Sequence, residues 1–382
     1  MLLETPRPAN RAVAEAEDHL LMRRALVVAE RGRRTAAPNP WVGCVLVRDG
    51  QVVAEGFHRR AGEPHAEARA LAAAGERARG STAYVTLEPC AHFGRTPPCV
   101  DGLIAAAVRR VVIGVLDPDP RVAGRGVARL RAAGIEVSQD VLASEVVDSL
   151  APYLHQRRTG RAFCVLKSAM SLDGRTAAAD GTSKWITSSA ARADVHGLRA
   201  ESQAVVVGSG TALADQPSLT VRNVDNLPDR QPLRVLLDGR GSVPTGGPLF
   251  DRRLAPTLVM TSSRVLRSRL REWEAAGAEV VEAPLSPDGR LDLEFVLCEL
   301  GRRGVLQALV EGGATLAGAL VRAGLVNRLV VYVGPKTLGE DGRPLLAGPS
   351  PRSLNDAGLW RLNAVTQLES DVRLDYTAET AA

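Results

Sequence analysis

Apolar residues recur at helical spacing over Leu20, Leu21, Ala25, Val28 and Ala29, which predicts a helix capped at its start by Asp18 and finished near Gly32. The following stretch, WVGCVLVRDGQVVAEGFH, alternates as two strands would around Asp49-Gly50, a pair suited to a tight hairpin turn. Pro64 then opens the alanine- and leucine-rich run HAEARALAAAGERARG, read as a helix starting at or just before His65. Beyond it TAYVTLEP reads as strand, VDGLIAAAV as helix, RRVVIGVLDP as strand, GRGVARLRAAG as helix and IEVSQDV as strand. A hairpin followed by alternating strands and helices predicts a layered α/β domain that ends near residue 145 and occupies residues 1–150.

A helix and a linker are expected in ASEVVDSLAPYLHQRRTGRAF, and a second pattern starts at Phe163 within residues 160–382. Its apolar, β-branched runs are FCVLKSAMSLDG, AVVVGSG, RVLLDG, TLVMTS, AEVVEA, LQALVEGG and RLVVYVGP, with SAARADVHGLRA and LAGALVRAG as the clearest helices between them. Mostly apolar strands predict a second α/β domain whose sheet is covered on both faces. The first 15 or so residues and the last half-dozen are expected to fray.

Composition adds limits. A chain of 382 residues that is 45% hydrophobic can bury two ordinary cores. Runs such as VVIGVL at residues 111–116 fall well short of the roughly 18 residues that cross a bilayer, so no membrane partner is expected. The five cysteines, Cys44, Cys90, Cys99, Cys164 and Cys298, are few, odd in number and scattered, and no secretory leader pattern opens the chain. Those features predict a cytoplasmic protein without a disulfide framework. The net charge of +5 comes from dispersed arginines with only 3% aromatics, and no basic block points to nucleic acid. Lysine occurs only at 167, 184 and 336.

Candidate chemistry gathers first around LEPCAHFGRTPPC. His65 and Glu67 fall in the first turn of one predicted helix, Cys90 follows a strand, and Cys99 precedes another helix. One imidazole and two thiolates with a fourth position open describe a catalytic zinc, and Glu67 would hang beside the metal as a proton shuttle. Two arrangements stay open on spacing alone: a closed site with His92 as fourth ligand, and buried thiols without metal. Cys44, Cys164 and Cys298 are assigned as small core residues, and His58, His155 and His196 as structural histidines. HAE followed by EPC is the zinc nucleobase-deaminase signature, except that eight residues instead of two separate the cysteines.

That longer spacing, with GRTPP inside it, resembles the riboflavin-biosynthesis pyrimidine deaminase family, as do PNPWVGCVLV, GEPHAEARAL and DPDPRVAGRG. The likeness continues through LKSAMSLDGRTA, GTSKWITSSAARADVHGLRA, VGSGTALADQPSLTVR, QPLRVLLDGRG and VEGGATLAGALVRAGLVNRLVVYVGPKTLG, which resemble the reductase half of the bifunctional deaminase/reductase. The resemblance implies an N-terminal cytidine-deaminase-like three-layer α/β/α domain and a C-terminal dihydrofolate-reductase-like α/β domain. It implies deamination of 2,5-diamino-6-(5-phosphoribosylamino)pyrimidin-4(3H)-one, then NADPH-dependent reduction of the ribosyl side chain to 5-amino-6-(5-phosphoribitylamino)uracil. Asn39 would bond the ring or sugar, although a turn residue between two prolines explains it equally.

Position by position, the resemblance implies cofactor contacts at Ala169, Trp185, Thr211, Asp215, Gly239, Gly313, Ala314, Thr315, Leu316, Ala317, Gly318 and Ala319. It implies substrate contacts at Ser183, Arg199, Leu219, Arg222 and Glu311, the two arginines suiting a phosphate because guanidinium donates two parallel hydrogen bonds. Lys167 either assists catalysis by polarising the sugar oxygen or pairs with Asp173. A strand running straight into Gly312-Gly313 and a helix offers backbone N–H groups to an anion. GSGTAL lacks the third glycine of a Rossmann fingerprint, and no such domain is expected. Gln216 and Gln203 stand where family members vary. The partner is then a small phosphorylated pyrimidine, and a homo-oligomer is compatible with the reading. The same motifs are compatible with two other functions: an RNA or free-base deaminase with an unrelated C-terminal domain, and a zinc-stabilised RNA-binding module without turnover.

Overall fold

A computed structural model describes residues 8–225, 228 and 230–379, with side chains from residue 12 onward. The chain divides between Thr159 and Gly160 into two compact units. The first contains α1 (Pro8–Glu30), β1 (Gly43–Arg48), β2 (Gln51–Phe57), α2 (Ala66–Ala74), β3 (Thr82–Leu87), α3 (Cys99–Ala105), β4 (Arg110–Val115), α4 (Arg125–Ala132), β5 (Glu136–Ser138) and α5 (Ala143–Thr159). Its sheet has the order β2-β1-β3-β4-β5; β1 runs antiparallel to both neighbours, and β3, β4 and β5 run parallel. Asp49 and Gly50, with φ of 52° and 73°, make the expected hairpin turn.

Two glycines set the layers. A side chain on Gly43 of β1 would strike the carbonyl oxygen of Ala25, so α1 lies directly on that face. Gly56 of β2, paired with Cys44, is approached as closely by the carbonyl of Ala66, so α2 lies on the opposite face. Helices on both faces make the α/β/α sandwich, and α2 brings His65 and Glu67 to the side of the sheet that Cys44 faces. Asp18 is no cap, because α1 starts ten residues earlier at Pro8. Its buried carboxylate instead accepts from Tyr84 (2.9 Å) and from two nitrogens of Arg110 (2.9 and 2.8 Å), pinning α1 across β3 and β4.

The second unit contains β6 (Phe163–Ser171), β7 (Arg175–Ala177), α6 (Ser189–Glu201), β8 (Ala204–Gly208), α7 (Ser209–Asp215), β9 (Leu233–Leu237), β10 (Thr257–Thr261), α8 (Arg267–Ala275), β11 (Glu279–Glu282), α9 (Leu293–Arg302), β12 (Gln307–Val310), α10 (Ala314–Arg322), β13 (Arg328–Gly334), β14 (Arg343–Pro344), β15 (Trp360–Leu368) and β16 (Asp371–Ala378). The main sheet has the order β11-β10-β9-β8-β12-β6-β13-β16-β15, with seven parallel strands and an antiparallel hairpin at one edge. Alternate residues feed two cores. Leu166, Val206, Val235 and Val310 meet Leu297 and Leu320 on one face, while Val165, Val205, Leu236 and Leu309 meet Leu198 and Trp273 on the other. Strands buried on both faces explain the near-continuous apolar runs. Cys298, expected in a core, is exposed instead.

Candidate active sites

The end of β3, the loop after it and the starts of α2 and α3 bring three donor atoms together. His65 Nδ1 lies 3.6 Å from Cys90 Sγ and 3.3 Å from Cys99 Sγ, and all three donors fall within 4.8 Å of one another. The backbone N–H of Cys99 donates to Cys90 Sγ (3.3 Å). Two soft sulfurs and an imidazole converging at this spacing suit zinc. His92 is not part of the cluster, so the described residues do not form the closed four-ligand site that spacing left open.

Electrostatics agree with a cationic guest. Hydrogen bonds from Cys99 and His65 pull the Cys90 thiol down to about 4, whereas Cys90 and burial push Cys99 well up. Glu67 is buried beside the donors, and burial and then Cys90 raise its carboxyl. A carboxyl held in that state can carry a proton as well as accept one.

Around the cluster, His58 is more than a core histidine. Its ring stands edge-on to His65 with centroids 5.0 Å apart, Nδ1 lies 3.3 Å from the Pro64 carbonyl, and Nε2 lies 3.0 Å from Asn39 Nδ2. Only a donor can face the Pro64 carbonyl, so Nδ1 carries the proton and Nε2 accepts from the Asn39 amide. Burial holds His58 neutral, down to about 4. Asn39 Oδ1 is thereby the end of the amide left to accept from a substrate.

Glu88, missed in the sequence reading, precedes Pro89 and Cys90. Its buried carboxylate accepts N–H bonds from Asp117 (3.3 Å), Gly124 (2.9 Å), Gly126 (2.9 Å) and Val127 (3.2 Å). It ties the cysteine loop to the start of α4.

The second unit opens into a cleft of about 1540 Å³ at the C-terminal ends of its parallel strands, beside the place where β12 inserts between β8 and β6. Its walls include Lys167, Ala169, Ser183, Trp185, Arg199, Thr211, Asp215, Leu219, Arg222, Gly239, Glu311, Gly313, Ala314, Thr315, Leu316 and Ala319. Ala317 and Gly318 do not reach it. Ala317 points into the core under α10, and a side chain on Gly318 would strike the Ala347 carbonyl oxygen, so both serve packing. Gly313 caps α10, whose first backbone N–H groups face the cleft wall.

Arg199 is not a free guanidinium. It forks onto Glu311 (Nε–Oε1 2.5 Å, Nη2–Oε2 3.0 Å) and donates to the Thr220 carbonyl (3.0 Å). His196, assigned a structural role, also lines the cleft, and its Nδ1 accepts from the backbone N–H of Arg222 (3.2 Å). These two residues of α6 hold the segment that carries Leu219 and Arg222. The pairing of Lys167 with Asp173 is absent, because Asp173 accepts from Ser171 and from the N–H groups of Leu338 and Gly339. Lys167 Nζ instead lies 5.8 Å from the Tyr332 ring, and burial holds its ammonium below the usual lysine range. Trp185 is exposed beneath Arg192, whose guanidinium carbon is 4.5 Å from the ring.

The chain matches two family models: "Cytidine and deoxycytidylate deaminase zinc-binding region" over residues 15–115, and "RibD C-terminal domain" over residues 162–374. It is 46% identical over 372 residues to the riboflavin biosynthesis protein RibD of Escherichia coli, covering 94% of this chain and 98% of that one. It is 39% identical to RibD of Bacillus amyloliquefaciens over 92% of this chain and 94% of that one. Among solved structures, Acinetobacter baumannii RibD superposes with a TM-score of 0.86 at 40% identity, covering 96% of this chain and all of that one. A Thermotoga maritima diaminohydroxyphosphoribosylaminopyrimidine deaminase/5-amino-6-(5-phosphoribosylamino)uracil reductase gives 0.84 at 33% identity over 96% of this chain and 99% of that one. With a deaminase zinc-binding region ahead of a reductase domain and relatives matched nearly end to end, the chain belongs to the RibD family of bifunctional riboflavin-biosynthesis enzymes.

Proposed function

We propose that residues 1–150 deaminate 2,5-diamino-6-(5-phosphoribosylamino)pyrimidin-4(3H)-one and residues 160–382 reduce the ribosyl product to 5-amino-6-(5-phosphoribitylamino)uracil. The observation that carries the first assignment is the convergence of His65, Cys90 and Cys99 beside a buried, unligated Glu67. His65, Cys90 and Cys99 would hold zinc, which when bound would make water acidic enough to yield hydroxide near neutral pH. Glu67 takes one proton from the attacking water and gives it to the ring nitrogen, then takes the second from the added hydroxyl and gives it to the departing amine, so that ammonia leaves instead of an amide anion. Positioned proton transfer of this kind contributes about 10² to 10⁴ in rate. Asn39, oriented by His58, accepts from the pyrimidine or its sugar.

In the reductase half, the Gly313–Ala314 turn carries the NADPH pyrophosphate, and Ala169, Thr211, Asp215 and Gly239 shape the rest of its bed. Ser183, Leu219, Arg222 and the Arg199–Glu311 pair receive the phosphoribosyl substrate, with Arg222 offering the guanidinium that no carboxylate of the described residues occupies. Lys167 stands on the cleft wall with a readily surrendered proton, suited to the sugar oxygen as hydride arrives. The substrate is a small phosphorylated pyrimidine rather than a nucleic acid, and the site of action is the cytoplasm. None of the described helices is long and apolar enough to cross a membrane.

Glu67→Gln tests the reading in one preparation. The variant should keep its zinc and its NADPH-dependent reduction of the deaminated intermediate, while ammonia release falls by at least about a hundredfold. Ammonia release at the wild-type rate would end the proposed role of Glu67.

A further inference from the structure

We infer that the β9 end of the reductase cleft is a phosphate subsite in which Arg240 and Arg290 grip the 2′-phosphate of NADPH and so set the choice of NADPH over NADH. The inference rests on the cofactor reading of the cleft and adds to it the residues that discriminate.

The placement comes from the sheet. β9 stands two strands from β12, whose Gly313 junction is the pyrophosphate seat, and two strand spacings amount to about 10 Å. That span suits the step from pyrophosphate to adenosine ribose. At the end of β9 the segment Asp238-Gly239-Arg240 lines the cleft. In Rossmann domains, a different fold, an acidic residue at the end of a neighbouring strand accepts from the ribose hydroxyls of a cofactor without the extra phosphate. Here Asp238 is withdrawn: it is 1% exposed, and its carboxylate accepts from Val243 N–H (2.7 Å), Arg240 N–H (3.2 Å) and Ser242 Oγ (3.1 Å). Both oxygens of that acid are already engaged within the turn, which makes it a poor partner for a free 2′-hydroxyl.

What the wall presents instead is positive charge. The Arg240 side chain is exposed on the cleft, and among the described residues its guanidinium has neither an ion pair nor a hydrogen bond. The turn of residues 286–290, closed by the bridge between Leu285 and Leu291, adds Arg290, whose Nε is 3.6 Å from Asp288, beyond hydrogen-bond reach. Asp288 is itself engaged by Ser286 Oγ (2.5 Å) and Arg290 N–H (3.3 Å). Arg264 lies against the same turn, its Nη1 3.8 Å from where a side chain on Gly289 would begin. The other acids on this stretch of wall are engaged, Asp292 by the N–H groups of Glu294 and Phe295 at the start of α9 and Glu294 by Arg161 (2.8 Å), which leaves Arg240 without an acidic partner among the described residues, and guanidinium can offer a phosphate two parallel hydrogen bonds. Ser262 fastens the region by donating to the Gly239 carbonyl (2.7 Å) while accepting from Arg264 N–H (3.3 Å), so the guanidiniums hang from an ordered base.

The test is a titration of the full-length enzyme with NADPH and with NADH, following nicotinamide fluorescence, for the wild type, Arg240→Ala, Arg290→Ala and Arg240→Lys. Arg240→Ala should weaken NADPH about ten- to a hundredfold, Arg290→Ala should weaken it in the same direction, and Arg240→Lys should recover part of the loss. NADH affinity should stay within about twofold throughout, which also shows that the variants fold. Equal weakening of both dinucleotides, or no weakening of NADPH, overturns the inference and leaves the cofactor reading standing. A wild type that binds neither dinucleotide overturns the cofactor reading itself.

Discussion

Arg199 and Glu311 meet side-on, Nε to Oε1 at 2.5 Å and Nη2 to Oε2 at 3.0 Å, with only 13% and 11% of their side chains exposed. The pair joins α6 to the end of β12 beneath the substrate end of the cleft. Removing one partner of such a pair leaves an uncompensated charge, at a cost of about 3 kcal/mol. Glu311→Gln should therefore lose about that much at neutral pH, and Arg199→Met with Glu311→Leu should recover most of it without recovering reductase activity. Acid should erase the difference. Burial raises the Glu311 carboxyl, but Arg199 and Lys167 outweigh it and leave it below its ordinary 4.5. A lowered carboxyl stabilises the fold fully above the unfolded value and loses that contribution as pH falls below it. The denaturant midpoints of wild type and Glu311→Gln should differ at pH 7 and converge as pH drops below about 4.5; a gap that stays constant would mean the pair is not the cause.

Asn39 supplies a second outcome. Because His58 Nε2 accepts from one N–H of its amide, the orientation of Asn39 is fixed and its acceptor Oδ1 is free for substrate. Asn39→Ala should lower deaminase kcat/KM by about tenfold, the value of roughly one hydrogen bond, and leave reduction of the deaminated intermediate unchanged. His58→Phe, which keeps the ring but not the acceptor, should give a similar loss by letting the amide turn. Single-turnover ammonia release from both variants checks this. Unchanged kinetics in Asn39→Ala would return the residue to a role in the turn.

What could be read in the sequence follows from which signals are local. The hairpin at Asp49-Gly50, the strand into Gly312-Gly313 and the parallel strands were legible because turn chemistry and burial leave their mark within a few residues. The β15–β16 hairpin was passed over although β16, DVRLDYTA, alternates polar and apolar residues throughout; what obscured it was β15, exposed along nearly its whole length, whose alternation breaks after Ala364. The start of α1 was lost in the same way: residues 12–17 are exposed, so its first turns show no apolar stripe and Asp18 passed for a cap. In the sites, residue types and spacing were enough to assemble His65, Cys90 and Cys99. The partners of His58 and His196, Asn39 and the Arg222 backbone, were not readable because they stand 19 and 26 residues away. Ala317 and Gly318 were readable in principle. Thr315 and Ala319, one turn apart on α10, line the cleft; Ala317, two residues from each, faces away, and Gly318 is closed off by the Ala347 carbonyl.

Glu88 shows how a residue without reactive chemistry can govern a metal loop. Its carboxylate collects four backbone N–H donors, two on each oxygen, from the strand end at Asp117 and the start of α4. Gln at this position keeps the shape but gives up the charge and turns an amide N–H₂ toward donors, so at least one buried N–H loses its acceptor. Hydrogen bonds to a charged group are worth about 1.5–3 kcal/mol, which sets the expected loss for Glu88→Gln, with Glu88→Ala losing more. For a domain of this size that is a fall in melting temperature of roughly 3–12 °C. Because Glu88 lies two residues before Cys90, the loss should be felt at the metal: zinc transfer to a chromogenic chelator should speed up in Glu88→Gln while NADPH binding to the other half stays at its wild-type affinity. Faster zinc release with an unchanged melting temperature would mean that Glu88 acts on the cysteine loop alone, and slower or equal release would remove it from the support of the metal site altogether.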